Sequence, residues 1–168
     1  MNVKDAIETR RSIRKYLPEP VEDEKLTLVL EAARLAPSAR NDQNWRFIAV
    51  RDDEKRRLLC EAAFDQPFVK EAPVVIVACG MNPRFMSCGM PTDIVDLSIA
   101  VSYITLQACE LGLGTCWLGH FDAQKVRAAL GIPEDVSVVA VTPLGYPAKN
   151  PTPRPRKTFD EIVSYDSW

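Results

Sequence analysis

Apolar residues recur at helical spacing in the first half of the chain and again after residue 90. In the clearest case, Leu26, Val29, Leu30 and Ala33 lie three or four positions apart, as expected when one face of a helix is buried. The pattern predicts a helix over 22–36, and a proline follows directly after it. By the same criteria we predict further helices over residues 3–11, 53–63, 93–111 and 122–130.

Short apolar runs rich in β-branched residues indicate strands. The strongest is the run Val74-Val75-Ile76-Val77-Ala78, which has no polar position and predicts a strand over 73–79 that is buried on both faces. Similar runs predict strands over 46–50, 115–118 and 136–144. Together the elements indicate a mixed α/β fold with about four core strands and helices on both faces.

The predicted helix over 93–111 is apolar on more than one face, so it must be covered from several sides. In a small domain this indicates that a second subunit supplies part of the cover. The residues from 145 onward contain several prolines, which favour an extended arm. The sequence shows no internal repeat and no linker, so we predict one domain over 1–168, in which 145–168 forms the arm.

The composition is that of an ordinary globular protein. Of 168 residues, 46% are hydrophobic and 26% charged, and the net charge of −2 gives no overall attraction to nucleic acid or an anionic membrane. No apolar run follows Met1, so we expect no secretory signal, and polar residues interrupt the apolar stretch 94–113, which argues against a membrane span. Five cysteines without a CxxC pair, and one histidine, do not match zinc-site spacing. We therefore expect reduced thiols, a cytoplasmic location and no metal.

A basic segment follows the first predicted helix. Arg10, Ser12 and Arg14 alternate along the chain, so an extended segment would place them on one side and Arg11 elsewhere. If residues 10–12 remain helical, Arg10 and Arg14 share a face instead. Both geometries gather guanidinium groups, whose planar fork suits phosphate oxygens. The alternative is a solvated surface, which is what most basic clusters are.

Two further segments carry polar or flexible residues at the ends of predicted helices. Segment 37–45 contains Ser38, Asn41 and Gln43. The amides of Asn41 and Gln43 supply donors and acceptors to a ligand, although such residues also occupy ordinary helix caps and turns. In segment 112–119, glycines end the helix and permit a close approach of the backbone to a ligand. Their spacing is neither GxGxxG nor a P-loop, so we expect no separate dinucleotide-binding domain.

Taken in this order and at these spacings, the segments resemble the nitroreductase family of FMN-dependent oxidoreductases. Segment 37–45 is similar to the family's Pro-Ser-x-x-Asn-x-Gln-Pro-Trp loop, except that Asn44 stands where proline is usual. The resemblance runs from about Val3 into the C-terminal tail. It implies that FMN is bound by residues of all the segments, namely Arg10, Arg11, Ser12, Arg14, Pro37, Ser38, Ala39, Asn41, Gln43, Leu118, Gly119, Arg154 and Arg156.

The resemblance also implies a place for each part of the cofactor. The N-terminal arginines, with Arg154 and Arg156, would hold the phosphate, the amides of segment 37–45 would meet the pyrimidine edge, and the backbone of Leu118 and Gly119 would lie against the ring. The implied fold is α+β, with a central, mainly antiparallel sheet and a C-terminal arm contributed by the partner subunit. The implied assembly is a homodimer with FMN at the subunit interface, in which we expect Tyr165 and Trp168 to pack on the partner.

The implied activity is ping-pong electron transfer from NAD(P)H through FMN to small oxidised acceptors such as nitroaromatics or quinones. Such chemistry resides on the flavin, so we predict no catalytic side chain. His120 is either a group near the cofactor or an exposed loop residue. Loop 81–92, which includes Met81, Pro83 and Phe85, is either an adaptable apolar wall of an open active site or ordinary surface packing.

Three alternatives remain at this point. A specialised flavin enzyme on the same fold, such as a dehalogenase, would be favoured by an inserted lid, and loop 81–92 is short. A flavin-binding protein without turnover predicts bound FMN that NAD(P)H does not reduce. A module that binds anions or nucleotides through its arginines predicts a protein that stays colourless when FMN is added.

Overall fold

The computed structural model describes residues 1–82 and 84–168, so Pro83 of the predicted loop 81–92 lies outside the described residues. Helices alternate with strands along most of the chain, and two short 3-10 turns span Ala39–Asn41 and Phe159–Glu161. The helices are α1 (Val3–Thr9), α2 (Asp23–Arg34), α3 (Asp53–Ala62), α4 (Phe68–Glu71), α5 (Thr92–Glu110) and α6 (Ala123–Leu130). The strands are β1 (Trp45–Val50), β2 (Val74–Gly80), β3 (Gly114–Thr115) and β4 (Ser137–Gly145).

The four strands form one sheet in the order β1-β2-β4-β3, and every neighbouring pair is antiparallel. The predicted α+β class with a mainly antiparallel, four-stranded sheet is therefore confirmed. Strand β2 lies in the middle and is buried along its whole length, as its uninterrupted apolar run predicts. A register shift between Ala78 and Cys79 interrupts its pairing with β4.

The two faces of the sheet are covered by different helices. On one face, Val75 and Val77 of β2 belong to a core that includes Leu59 of α3 and Val126 of α6. On the other face, Ile76 belongs to a core formed with helices α2 and α5. Successive side chains of a strand point to opposite faces, so β2 joins both cores.

Local sequence explains where several helices begin and end. Asp122 caps α6, because its carboxylate accepts the backbone N–H groups of Gln124 and Lys125 at 2.9 and 3.2 Å. The helix ends at Gly131, whose φ of 67° is a left-handed conformation that glycine adopts without strain. Within residues 1–82 and 84–168, no helix is both long and apolar enough to cross a membrane.

Three predicted elements differ from the structure. The first helix ends at Thr9 rather than near residue 11. The strand predicted over 115–118 is limited to Gly114–Thr115, because the chain leaves β4 after Thr115 and bridges it again only at Leu118. Helix α4 was not predicted, since four residues are too few to show a helical period.

The C-terminal segment is extended, as its prolines predict, but its first residues still pair with the core. Gly145 closes β4, and the carbonyl group of Tyr146 accepts the N–H of Leu17 at 2.9 Å. The N–H of Ala148 donates to the carbonyl group of Lys15 at 3.0 Å. The exposed part of the predicted arm 145–168 therefore starts at Lys149.

Candidate functional site

The basic segment after α1 is extended, which decides between the two geometries that the sequence left open. Arg10 leaves the helix with φ −55° and ψ 133°, and Ser12 forms a parallel bridge with Thr115 of β3. The N–H of Ile13 donates to the carbonyl group of Thr115 at 2.8 Å, and the Ile13 side chain is buried in the core. Because residues alternate in an extended chain, burial of Ile13 leaves Ser12 and Arg14 free to face a different environment.

A cavity of about 630 Å³ joins this basic segment to the C-terminal arm. Five arginines and one acidic residue line it, so the lining carries a strong positive charge. The lining residues are Ile7, Glu8, Arg10, Arg11, Ser12, Arg14, Pro151, Thr152, Pro153, Arg154 and Arg156. The structure thus brings together the two groups of arginines that are about 140 residues apart in sequence.

Arg11 differs from its neighbours because its guanidinium is engaged by the backbone. Its Nη1 donates to the carbonyl groups of Glu8 at 2.7 Å and Arg10 at 2.9 Å. Arg11 therefore lines the cavity as part of its wall, with part of its hydrogen-bonding capacity already used.

A second cavity of about 380 Å³ continues from Arg10 and Ser12 along helix α5. Its other lining residues are Ser98, Ser102, Thr105, Thr115 and Trp117. The sequence reasoning missed these hydroxyls and the half-exposed Trp117. Their spacing of four and three residues on one helix was the available signal, because such positions share a face.

Segment 37–45 forms a tight loop with an unusual backbone. Arg40, Asn41 and Gln43 have φ values of 56°, 57° and 51°, in the left-handed region that non-glycine residues seldom adopt. The N–H of Gln43 donates to Oγ of Ser38 at 3.1 Å, and Nε2 of Gln43 donates to the carbonyl group of Asn41 at 3.1 Å. Polar side chains of the loop therefore stabilise its turns.

The loop is also tied to helix α5 and lies apart from the arginine cavity. The N–H of Ala39 donates to both carboxylate oxygens of Asp96, at 3.1 and 3.2 Å. Among the residues that the structure describes, none from Pro37 to Gln43 lines the 630 Å³ cavity. Within one chain, the two predicted parts of the cofactor site are thus separate.

Leu118 and Gly119 lie where the chain returns to the sheet. Leu118 exchanges two backbone hydrogen bonds with Val141, at 3.0 and 3.2 Å. A Cβ atom on Gly119 would lie 3.1 Å from Cζ3 of Trp117, so the glycine permits the indole to pack against the backbone. This arrangement connects Gly119 to the second cavity through Trp117.

His120 is exposed and belongs to an aromatic pair. Its ring stacks on Phe64 with a centroid distance of 4.4 Å and an interplanar angle of 29°. Nε2 of Gln66 donates to the carbonyl group of His120 at 3.3 Å. This hydrogen bond joins the turn at residues 64–66 to the loop that contains His120. Phe64 and Asp65 both have positive φ values, 54° and 58°, so this contact includes a strained turn.

Within the predicted loop 81–92, residues 84–91 form a small, exposed hairpin. Phe85 bridges Pro91, and the N–H of Met86 donates to the carbonyl group of Met90 at 2.8 Å. The side chains of Phe85 and Met90 are 75% and 52% exposed, so a large part of their apolar surface is available for contact.

Burial affects the thiols of two cysteines in the core. Burial raises the pKa of the Cys116 thiol, although the nearby Arg14 and Arg10 act in the opposite direction. Burial likewise raises the pKa of Cys79 to about 11.

Within residues 1–82 and 84–168, no group of three His, Cys, Asp or Glu side chains is placed to hold a metal ion.

The chain matches known proteins along nearly its whole length. The model of the nitroreductase family matches residues 7–71 and 57–146, which include the basic segment, the loop 37–45 and the glycine segment. The C-terminal arginines lie beyond the matched residues.

Individual relatives cover the arm as well. A Methanothermobacter thermautotrophicus protein, provisionally named an NADH dehydrogenase/NAD(P)H nitroreductase, is 40% identical over 173 residues, which cover 100% of this chain and 88% of the relative. The FMN reductase [NAD(P)H] of Bacillus subtilis is 31% identical over 94% of this chain and 71% of its own length. The crystal structure of a Clostridium difficile nitroreductase family protein superposes with a TM-score of 0.90 at 31% identity, and both chains are covered completely.

Proposed function

The chain belongs to the nitroreductase family, and on that premise we propose that it is an FMN-dependent oxidoreductase that transfers electrons from NAD(P)H to small oxidised acceptors. Relatives that are named NAD(P)H nitroreductase and FMN reductase support a flavin and a nicotinamide donor. The acceptors we propose are nitroaromatics or quinones, reduced by a ping-pong reaction in which donor and acceptor use the same site in turn.

The observation that carries this proposal is the arginine-lined cavity. Five guanidinium groups surround about 630 Å³, and Glu8 is the one acidic residue in the lining. A phosphate dianion offers several acceptor oxygens to such planar donors, so the donor set suits the phosphate of FMN. We assign Arg10, Ser12, Arg14, Arg154 and Arg156 to the phosphate, with Arg11 as part of the wall.

The remaining cofactor contacts follow the order of the segments. The amides of Asn41 and Gln43 supply donors and acceptors for the pyrimidine edge of the flavin, in the loop that contains Pro37, Ser38 and Ala39. Leu118 and Gly119 supply a backbone surface for the ring, because Gly119 has no side chain in the way. When bound, FMN supplies the electron-transfer chemistry, and the protein supplies position and charge.

We further propose that the functional unit is a homodimer with FMN at the subunit interface. The loop 37–43 contributes no residue to the arginine cavity within one chain, which supports a cofactor that is bound between the cavity of one chain and the loop of another. The arm supports this, because its apolar side chains Ile162, Tyr165 and Trp168 are 68%, 78% and 114% exposed. In this proposal the whole chain, 1–168, is one domain, and the arm packs on the partner.

The free cysteines support a reducing environment such as the cytoplasm. None of the five thiols is in a disulfide, and Cys88 is exposed.

An anaerobic absorption experiment tests the function directly. The purified protein is saturated with FMN, freed of excess cofactor, and mixed with NADH or NADPH under anaerobic conditions. We expect a protein-bound flavin band that bleaches with at least one nucleotide and returns when a nitroaromatic or a quinone is added.

The other outcomes distinguish the alternatives. A bound flavin that stays oxidised with both nucleotides would contradict the reductase activity and leave a flavin-binding protein or a specialised flavin enzyme. A protein that retains no flavin would overturn the cofactor assignment and favour an anion-binding module.

A further inference from the structure

We propose that Asp96 is a positioning residue, which holds the loop 38–43 in the conformation that receives the flavin. This inference rests on the proposed function for the identity of the ligand. Its structural basis is the contact between Asp96 and Ala39, in which one backbone N–H donates to both oxygens of the carboxylate. Asp96 lies on helix α5, 57 residues away from Ala39 in sequence.

The loop needs an external restraint because its backbone is strained. Arg40, Asn41 and Gln43 all have positive φ values. Asparagine tolerates this region, and hydrogen bonds to Ser38 and Asn41 support Gln43, whereas an arginine at position 40 has no intrinsic preference for it. Strained residues of this kind persist where the surrounding structure fixes them, and they concentrate at functional sites.

Of the side chains that the structure describes outside the loop, two form polar contacts with it, and of these Asp96 is the buried one. The other contact, the ion pair between Arg84 and Asp42 at 3.2 Å, is exposed, with 59% and 31% of the side chains accessible to solvent. Exposed ion pairs contribute little to stability. Asp96 is 5% exposed, and its neighbours Leu97 and Ala100 are fully buried in the core, so its carboxylate is fixed with the helix.

The carboxylate is poorly explained as a contribution to stability alone. Burial of a charged group is unfavourable unless it is well paired. Among the described residues, Ala39 is the donor found for Asp96, and no basic side chain forms an ion pair with it. A buried charge that binds one neutral N–H of a strained loop is instead suited to fixing the position of that loop.

Asp93 provides a matched control on the same helix. It lies one turn earlier, is 6% exposed, and accepts a hydrogen bond from Oγ of Ser137 at 2.6 Å. Its Oδ1 atom has no partner among the described residues. Asp93 therefore shares the burial, the charge and the helix of Asp96, but its hydrogen bond goes to β4 and not to the loop.

The first measurement is backbone amide hydrogen exchange in the flavin-free protein. We compare wild type with Asp96→Ala, Asp96→Asn and Asp93→Ala. In Asp96→Ala the amides of residues 39–43 should exchange at least about tenfold faster than in wild type, the loss expected for a hydrogen bond to a charged acceptor. Asp96→Asn retains an acceptor oxygen and should restore most of the protection, whereas Asp93→Ala should leave these amides unchanged.

The second measurement is the dissociation constant of FMN, followed by quenching of flavin fluorescence. We expect a weakening of about tenfold or more for Asp96→Ala, and less than about threefold for Asp96→Asn and for Asp93→Ala. Urea denaturation of each variant separates a loosened loop from a loss of global stability.

A further variant keeps the test decisive if Asp96→Ala does not fold. Ala39→Pro removes the donor and leaves Asp96 in place, and proline is accepted at the first position of a helical turn. It should weaken FMN binding in the same way as Asp96→Ala. Unchanged exchange and unchanged FMN affinity in both variants would overturn the proposal, as would equal losses in Asp93→Ala.

The failure of this inference and the failure of the proposed function give different results. If wild type binds no FMN, the proposed function fails, and faster exchange in Asp96→Ala still shows that Asp96 holds the loop. If wild type binds and reduces FMN but Asp96→Ala behaves as wild type, the function stands and the positioning role is refuted.

Discussion

At the residue scale, positive charge is the clearest feature of the cavity. Five arginines line it together with Glu8. The carboxylate of Glu8 is also paired with Lys4, whose Nζ lies 3.9 Å from Oε1 of Glu8. Like charges that are gathered without counter-charges repel one another, and a bound anion relieves that repulsion. The cavity should therefore distinguish ligands by their phosphate.

This selectivity can be measured with FMN and riboflavin, which share a ring system but differ in the phosphate. We expect Arg10→Ala or Arg154→Ala to weaken FMN binding by about tenfold to a hundredfold, since hydrogen bonds to charged groups contribute about 1.5–3 kcal/mol. The affinity for riboflavin should stay unchanged.

Arg34→Ala is a suitable control for this charge effect. Arg34 pairs with Glu31 at the exposed end of α2 and should affect neither ligand. Equal weakening of FMN and riboflavin in the Arg10 and Arg154 variants would show that these arginines support the fold and not the phosphate.

Single residues also mark where the sequence was uninformative. The alternation of Arg10, Ser12 and Arg14 was visible in the sequence, which left an extended and a helical geometry open, and the structure has the extended one. Two other features could not be read from the sequence. Arginine has no preference for the left-handed backbone that Arg40 adopts, and nothing near Asp96 in sequence indicates its hydrogen bond with Ala39. Both depend on the approach of two segments that are distant in sequence.

At the element scale, the junction of the basic segment with β3 determines the shape of the cavity. Ser12 bridges Thr115, and Gly114 lies against Ile13 and Pro147. A Cβ atom on Gly114 would overlap the side chain of Ile13, so the strand accepts no side chain at this position without a shift of Ile13. The basic segment is therefore held in place by close packing as well as by hydrogen bonds.

Gly114→Ala should disturb both the fold and the cavity. Overpacking at a tight site costs about 1–3 kcal/mol, and displacement of Ile13 would move Ser12 and Arg14. We expect a lower free energy of unfolding in urea and weaker FMN binding in the same variant.

Gly112→Ala separates these two effects. Gly112 has a φ of +75° with open space around its Cα, so alanine should cost about 1–2 kcal/mol of stability through backbone strain alone. The affinity for FMN should stay at the wild-type value. A loss of FMN binding in Gly112→Ala, or its retention in Gly114→Ala, would contradict the role assigned to the junction.

Two of the differences between the predicted and the observed elements share one cause. The segment 115–118 contains β-favouring residues, yet it pairs with β4 at Thr115 and again at Leu118, and not at the two residues between them. Helix α4 follows Pro67 and is fixed by burial of Phe68 and Val69. In both cases tertiary packing outweighs local propensity.

At the scale of the whole molecule, the arm exposes a large apolar surface, which supports the proposed homodimer. The arm contains one ordered turn, in which the carboxylate of Glu161 accepts hydrogen bonds from the N–H and Oγ1 of Thr158 at 2.8 and 2.9 Å. This turn presents Phe159, which is 63% exposed, ahead of the terminal aromatic residues. Burying such side chains in an interface provides a large hydrophobic contribution to association.

Replacement of Tyr165 and Trp168 by serine should weaken the dimer by at least about a hundredfold, as expected when two aromatic anchors of about 2 kcal/mol each are removed. Sedimentation equilibrium measures the change in association. We also expect loss of bound FMN, because a monomer has the cavity without the partner's loop.

Asp160→Ser changes a polar residue of the same arm and should leave the dimer intact. If the wild-type protein is a monomer and still binds FMN, the placement of the cofactor between two subunits is wrong.

The sequence by itself determined the class of fold, the positions of most helices and strands, and the resemblance to one family. Periodicity, caps and short motifs are local properties, so they are readable along the chain. Only the tertiary structure decided that the two arginine groups line one cavity, that loop 37–43 contributes nothing to that lining, and that Asp96 accepts the N–H of Ala39 in this loop. Those facts depend on contacts between distant segments, and such contacts are fixed by packing of the whole core.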